Sequence, residues 1–320
     1  MSLTSNCDYV TDERTLRPSP FNIVTYERAK EKVEEYLYHR LEAVIQESPD
    51  TPVVMLSGGI DSILVAGIMS KICPEALAFT FKQHTPEAEQ EAHRAKQVSD
   101  YFGLRHEVYD PGNEEMLTLL KDTVQRLETA EPWEILAGLV WRVSDKKTKE
   151  LGYGGKLISG AGADGLFLGG KDIDAQSEKV VFEWDEAMRT GLKSQFTQKR
   201  FIPDFYERLL DDPSRYVLAW QTHEAVDLAQ QIHPRVVRGD DLSMDKHLFR
   251  KIAVDWGVDE SLVYASKSPL QVSSGGLDSV VRLARESLSR DFEGRTYSSP
   301  IDEPLEFVVA RLFLGGLADR

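Results

Sequence analysis

The stretch Pro52-Val53-Val54-Met55-Leu56-Ser57-Gly58-Gly59-Ile60-Asp61-Ser62 decides how this chain is read. Residues 52–56 form a short apolar run next to turn-forming residues, which predicts a buried strand. Beyond Gly58-Gly59, the apolar residues Ile63, Leu64, Val65, Ile68 and Met69 predict a helix. Paired glycines between strand and helix let the backbone approach a ligand closely, and the free N–H groups at a helix start point at an anion. Ser57 and Ser62 add hydroxyl donors to the turn. Asp61 would repel a phosphate unless a divalent cation lay between them, so its presence predicts Mg²⁺. The turn is not a Walker loop, because no Gly-Lys-Ser/Thr follows it.

Working outward, residues 76–81 predict a second strand, Pro86–Phe102 a polar helix, 106–109 a third strand, 114–151 one long helical stretch and 156–159 a fourth strand. Strands alternating with helices at this spacing imply βαβ units and a parallel sheet covered on both faces. Upstream, Ala29, Val33, Tyr36, Leu37, Leu41 and Val44 recur at helical spacing within Tyr26–Gln46, after a polar, proline-broken lead-in. Beyond Gly170 strand-like runs cease, and 200–210, 216–232, 243–254 and 277–289 read as amphipathic helices. The expected organisation is an arm and lead-in helix over 1–46, an α/β domain over 47–170 and a mostly helical, substrate-side region over 171–320.

Composition narrows the partners. The chain has 320 residues, 41% of them hydrophobic, enough for a sizeable core. Its 53 acidic against 38 basic residues give a net charge of −15, which disfavours wide contact with nucleic acid or an anionic membrane. No apolar run approaches the roughly 20 residues that span a bilayer, and the first residues lack the basic and apolar segments of a signal peptide. Cys7 and Cys73 cannot build a disulfide framework or a four-thiolate zinc site. The expectation is a cytoplasmic protein acting on a small molecule, with self-association open.

A second turn, Ser159-Gly160-Ala161-Gly162-Ala163-Asp164, follows the fourth strand about 100 residues after the first and runs on to Gly169-Gly170. Two strand-end turns facing one crevice would bring Asp61 and Asp164 to a shared Mg²⁺.

The first turn resembles the pyrophosphate loop of the N-type ATP pyrophosphatases, whose fold is the adenine nucleotide alpha hydrolase type. The second resembles the Ser-Gly-x-Gly-x-Asp…Phe-Gly-Gly segment of asparagine synthetase and β-lactam synthetase within that group. The resemblance implies ATP and Mg²⁺, with Asp61 and Asp164 as metal ligands. It implies nucleotide and pyrophosphate contacts at Leu56, Ser57, Gly58, Gly59, Ser62, Phe81, Ser159 and Gly160. Lys246, in Met244-Asp245-Lys246-His247, matches a family lysine that contacts phosphate, and Lys267 matches the lysine that steadies pyrophosphate and the charge of acyl transfer. A near copy of the first turn, Ser274-Gly275-Gly276-Leu277-Asp278-Ser279, follows a polar, proline-containing approach and is read as a glycine loop beside the pyrophosphate, with Asp278 starting a helix.

Three departures bear on the acceptor. About 50 residues precede the first turn and Cys7 lies in a polar arm, so glutamine hydrolysis is not expected and ammonia or an amine would come from a separate supplier. Ala161 stands where the family has a Glu or Tyr that helps deprotonate the attacking nitrogen, and alanine transfers no proton. The family's Gly-x-Glu-x-Arg-x-Pro box is replaced by residues 214–222. Tyr153, Tyr216, His223 and Glu224 are the candidate substitutes for the missing base. The resemblance thus implies a synthetase that adenylates a carboxylate, or a carbonyl or amide oxygen, and then forms an amide or lactam C–N bond. The alternatives are sulfur transfer through a cysteine, and nucleotide binding without turnover.

Overall fold

A computed structural model describes residues 21–170, 180–196, 205–265, 274–287 and 305–318. Five strands form one sheet: β1 (Val53–Met55), β2 (Leu77–Phe81), β3 (Arg105–Tyr109), β4 (Leu157–Ser159) and β5 (Tyr216–Leu218). All neighbours are parallel and the order is β3-β2-β1-β4-β5. The register pairs Val54 of β1 with Ala78 of β2 and Ile158 of β4. The chain therefore runs outward from β1 in one direction, returns, and continues from β4 in the other. A crevice opens at such a reversal, outside the carboxyl ends of the two central strands.

Side chains alternate across the sheet and divide the core in two. Val54, Leu56, Ala78, Ile158 and Val217 pack with α1 (Tyr26–Gln46), α2 (Ile60–Ile72), α3 (Pro86–Phe102), α9 (His223–Gln231) and α11 (His247–Asp255). Val53, Leu77, Phe79, Leu157 and Tyr216 pack with α4 (Asn113–Leu127), α5 (Pro132–Glu150) and two later helices, α13 (Gly276–Ser287) and α14 (Leu305–Ala318). α2 is buried on nearly every side, and its apolar residues surround the helix instead of lining one stripe.

Three expectations are corrected. The stretch 114–151 is two helices, because Glu128 adopts a left-handed conformation (φ 52°) and Pro132 opens α5. A proline costs nothing at a helix start, where its missing N–H has no intrahelical partner. Helix does not cover 216–232: Tyr216–Leu218 is the edge strand β5, and α9 begins only after Thr222, whose hydroxyl accepts the Ala225 N–H. A three-residue strand buried on both faces carries no alternation, so the apolar run merged with the helix behind it. The stretch 243–254 is helical only from His247, after a left-handed Lys246. Because of β5, the sheet includes a strand from beyond residue 170. Residues 1–20, with the polar lead-in and Cys7, lie outside the described residues.

Candidate active site

The first turn leaves β1 through Leu56 and Ser57 and enters α2 behind Gly59, which supplies no capping oxygen to the first N–H groups of the helix. Gly58 is left-handed at φ +70°, and a Cβ there would press on the α3 backbone, 3.2 Å from Glu91 O. The turn braces itself through its serines. Ser62 Oγ donates to Gly59 O at 2.8 Å and accepts the Ser57 N–H at 3.2 Å.

The second turn touches the first at Gly160. A Cβ on this residue would lie 2.6 Å from the Asp61 carbonyl carbon and 2.7 Å from its oxygen. Only glycine lets the two loops meet this closely. Asp164 sits in the first turn of α6 (Ala163–Leu166), facing Asp61 across the crevice.

Between the two carboxylates lies Lys246. Its Nζ donates to Asp61 Oδ2 at 2.6 Å and also to Asp164 Oδ1. The lysine side chain is 4% exposed, Asp61 23% and Asp164 60%. Burial alone would push the ammonium down; the two carboxylates outweigh it and hold the group above the usual lysine range. Lys246 is a non-glycine residue at φ +49°, a conformation that costs roughly 1 kcal/mol and recurs at functional sites. Gly169 makes room for the triad: a Cβ there would fall 2.0 Å from Asp164 Oδ1 and 2.6 Å from Lys246 Cε.

The surrounding cleft has a volume of about 630 Å³. Leu56, Ser57, Gly58, Gly59, Asp61, Ser62, Phe81, Ser159, Gly160, Asp164 and Lys246 all line it. Lys267 lies outside the described residues, while Ala265 and Ser274 both line the cleft. Gly275 repeats the left-handed turn of Gly58 at φ +73°, and Asp278 is exposed in the first turn of α13.

The four candidate bases are not brought here. Tyr216 is buried in the sheet, stacked on Tyr206 at 4.2 Å and edge-on to Trp141 at 4.0 Å. Tyr153 belongs to the connection leading into the amino end of β4, away from the crevice. His223 and Glu224 start α9, and neither is in the cleft lining. Ala161 does line the cleft, with its N–H donated to Ser159 Oγ at 3.0 Å.

His106 and its hydrogen bond to Thr80, behind Leu56, were not legible in the sequence. Thr80 Oγ1 donates to Leu56 O at 2.6 Å, so the 2.8 Å contact with His106 is an Nε2–H donated to the same hydroxyl oxygen. Burial, helped by the nearby Lys96 charge, pushes His106 down from 6.5 to about 4 and keeps the ring neutral. Asp245, which accepts the Gly170 N–H at 3.3 Å, was also missed, and Gly169, read as part of the second segment, has a spacing role that the sequence does not state. The pair Gly169-Gly170 was the available signal.

The asparagine synthase family model matches residues 42–240, spanning both turns and β5. The chain belongs to the asparagine synthase family. Among curated relatives of this family member, the root asparagine synthetase [glutamine-hydrolyzing] of Pisum sativum is 25% identical over 227 residues, covering 67% of this chain and 38% of that enzyme. Asparagine synthetase 2 of Oryza sativa subsp. japonica is 32% identical over 123 residues, covering 36% of this chain and 21% of that protein. The chain thus spans well under half the length of these relatives. Among solved structures, an NMN synthetase from Francisella tularensis is 15% identical and covers 77% of this chain and 98% of that one, with a TM-score of 0.31. No helix among the described residues is long and apolar enough to cross a membrane.

Proposed function

We propose that this asparagine synthase family member is an ATP-dependent synthetase that activates a substrate carboxylate, or a carbonyl or amide oxygen, as an adenylate and then joins it to a nitrogen nucleophile. The observation that carries the reading is the convergence of Asp61, Asp164 and Lys246 at the crevice between β1 and β4, beside the start of α2. Two carboxylates from separate loops aimed at one cation suit a divalent ion, which when bound neutralises the triphosphate and lets it face the acidic pair.

The chain's own groups divide the work. The N–H groups at the start of α2 and the Ser57 hydroxyl hold phosphate oxygens, and Ser62 holds the turn in shape for them. Leu56 and Phe81, at the ends of β1 and β2, flank the base. The substrate oxygen attacks the α-phosphorus, the bond from that phosphorus to the bridging oxygen breaks, and pyrophosphate leaves with the electron pair. Lys246 and Lys267 neutralise the departing charge, a task suited to flexible point charges. The nitrogen then attacks the activated carbon, AMP departs with the C–O electron pair, and the nitrogen loses a proton. Ala161 cannot take that proton, so the acceptor half differs from the family pattern. The amine comes from the substrate itself or from a separate supplier.

The sulfur-transfer alternative draws no support from Cys73. This thiol closes the far end of α2, a 13-residue helix about 20 Å long. Burial and neighbouring Glu75 push it up to about 11, away from the reactive thiolate.

The test is pyrophosphate release from MgATP across a panel of carboxylic acids and amines. The wild-type protein should release it with the correct acid, and Asp61→Asn should lower the rate by about 10³-fold or more. Undiminished release by that variant removes the reading.

A further inference from the structure

The Asp61–Lys246–Asp164 cluster is itself a filled cation site. The two carboxylates come from different turns and reach the same Nζ, one from each side. Gly160 and Gly169 carry no Cβ where one would strike the cluster or its backbone, and Lys246 takes a left-handed conformation at the start of α11. The ammonium comes from the protein interior, 4% exposed, whereas Asp164 keeps 60% of its side chain open to the cleft.

The charges do not cancel. One positive group against two negative ones leaves −1, whereas a divalent ion in the same position would leave zero. Mg²⁺ arriving alone must shed tightly held water to enter, and it does so reluctantly. Mg²⁺ arriving on a polyphosphate brings oxygen ligands with it, and the phosphate offers the displaced ammonium a new partner.

We propose that Lys246 is the placeholder of this metal site: in the nucleotide-free protein its ammonium bridges Asp61 and Asp164, and only nucleotide-borne Mg²⁺ displaces it, delivering the ammonium to the phosphates. The exchange couples metal and nucleotide binding, so the free protein takes up divalent ions poorly. Its four-carbon stem lets the charge move without moving α11. The inference rests on the cation site of the proposed function and not on its adenylation or acyl-transfer steps, so pyrophosphate release can fail while the exchange stands.

The experiment is a Mn²⁺ titration of the nucleotide-free protein, followed by electron paramagnetic resonance. Lys246→Met, which vacates the position, should bind Mn²⁺ about tenfold or more tightly than wild type, and adding Asp164→Asn to that variant should remove the gain. Equal affinity in wild type and Lys246→Met overturns the proposal. If the variant does not fold, the unmodified protein gives the answer through the ¹⁵N resonance of the Lys246 ammonium. That signal should stay unchanged in millimolar Mg²⁺ alone and shift when a non-hydrolysable ATP analogue is added with Mg²⁺. A shift on Mg²⁺ alone, or none with the analogue, contradicts it.

Discussion

Arg215 and Lys246 are both buried cations, and they stand at opposite ends of the same sheet. Arg215 lies just before β5, at the amino ends of the strands. It donates to Asp145 Oδ1 at 2.6 Å, Gly155 O at 2.6 Å, Asp145 O at 3.0 Å and Thr148 Oγ1 at 2.9 Å, and also to Tyr153 O. Its partners are mostly backbone carbonyls and cannot leave. Lys246, at the carboxyl ends, holds two carboxylates, one of them largely open to the cleft. A guanidinium fork with a full set of fixed acceptors fastens β5 and the lead-in to β4 onto α5. An ammonium shared by two side-chain carboxylates, one of them largely exposed, is a charge that can be exchanged. Cations of similar burial therefore do different work, decided by what accepts their protons.

The contrast sharpens into stability differences. Arg215→Met should be the most damaging, by about 3–5 kcal/mol in urea unfolding, since Asp145, at 1% exposure, loses its buried partner and keeps the Lys149 ammonium at 3.0 Å, while the surrounding carbonyls lose their donor. Lys246→Met should cost less, about 1–3 kcal/mol, because Asp164 can turn to water, yet it should abolish pyrophosphate release. An equal loss of stability in both variants would mean that the two cations are held alike. Gly160→Ala should cost about 1–3 kcal/mol by forcing the two turns apart, and nucleotide affinity should fall with it.

The smallest effect is one of pH. His106 has a folded value of about 4, below its ordinary 6.5, so the fold favours the neutral ring. Stability from this group is intact above pH 6.5 and is lost as pH falls toward 4, because the unfolded chain takes up a proton that the folded chain refuses. The full shift corresponds to about 3 kcal/mol, and solvent at the partly exposed ring reduces this to about 1–2 kcal/mol. Thermal melts of His106→Gln should show a flatter decline over that interval than wild type.

How much was legible follows the range of the interactions. Tyr26–Gln46 and Pro86–Phe102 were read to the residue, because periodicity and capping are local. The first turn was legible because strand, glycines and helix are contiguous. β5 was hidden because a three-residue strand is defined by its neighbour β4, not by its own pattern. The Lys246 bridge was invisible for the same reason: its partners are 185 and 82 positions away, and nothing in Met244-Asp245-Lys246-His247 indicates which carboxylates it meets. The acceptor base stays unassigned because none of the four candidates is in the cleft lining.

In the proposed function the crevice between β1 and β4 directs attack on the α-phosphorus of ATP. Turnover of ATP labelled at that phosphorus, with product nucleotides separated and counted, tests it most directly. Label should appear in AMP, matched mole for mole by pyrophosphate; label accumulating in ADP, with orthophosphate as the other product, would exclude attack at that phosphorus.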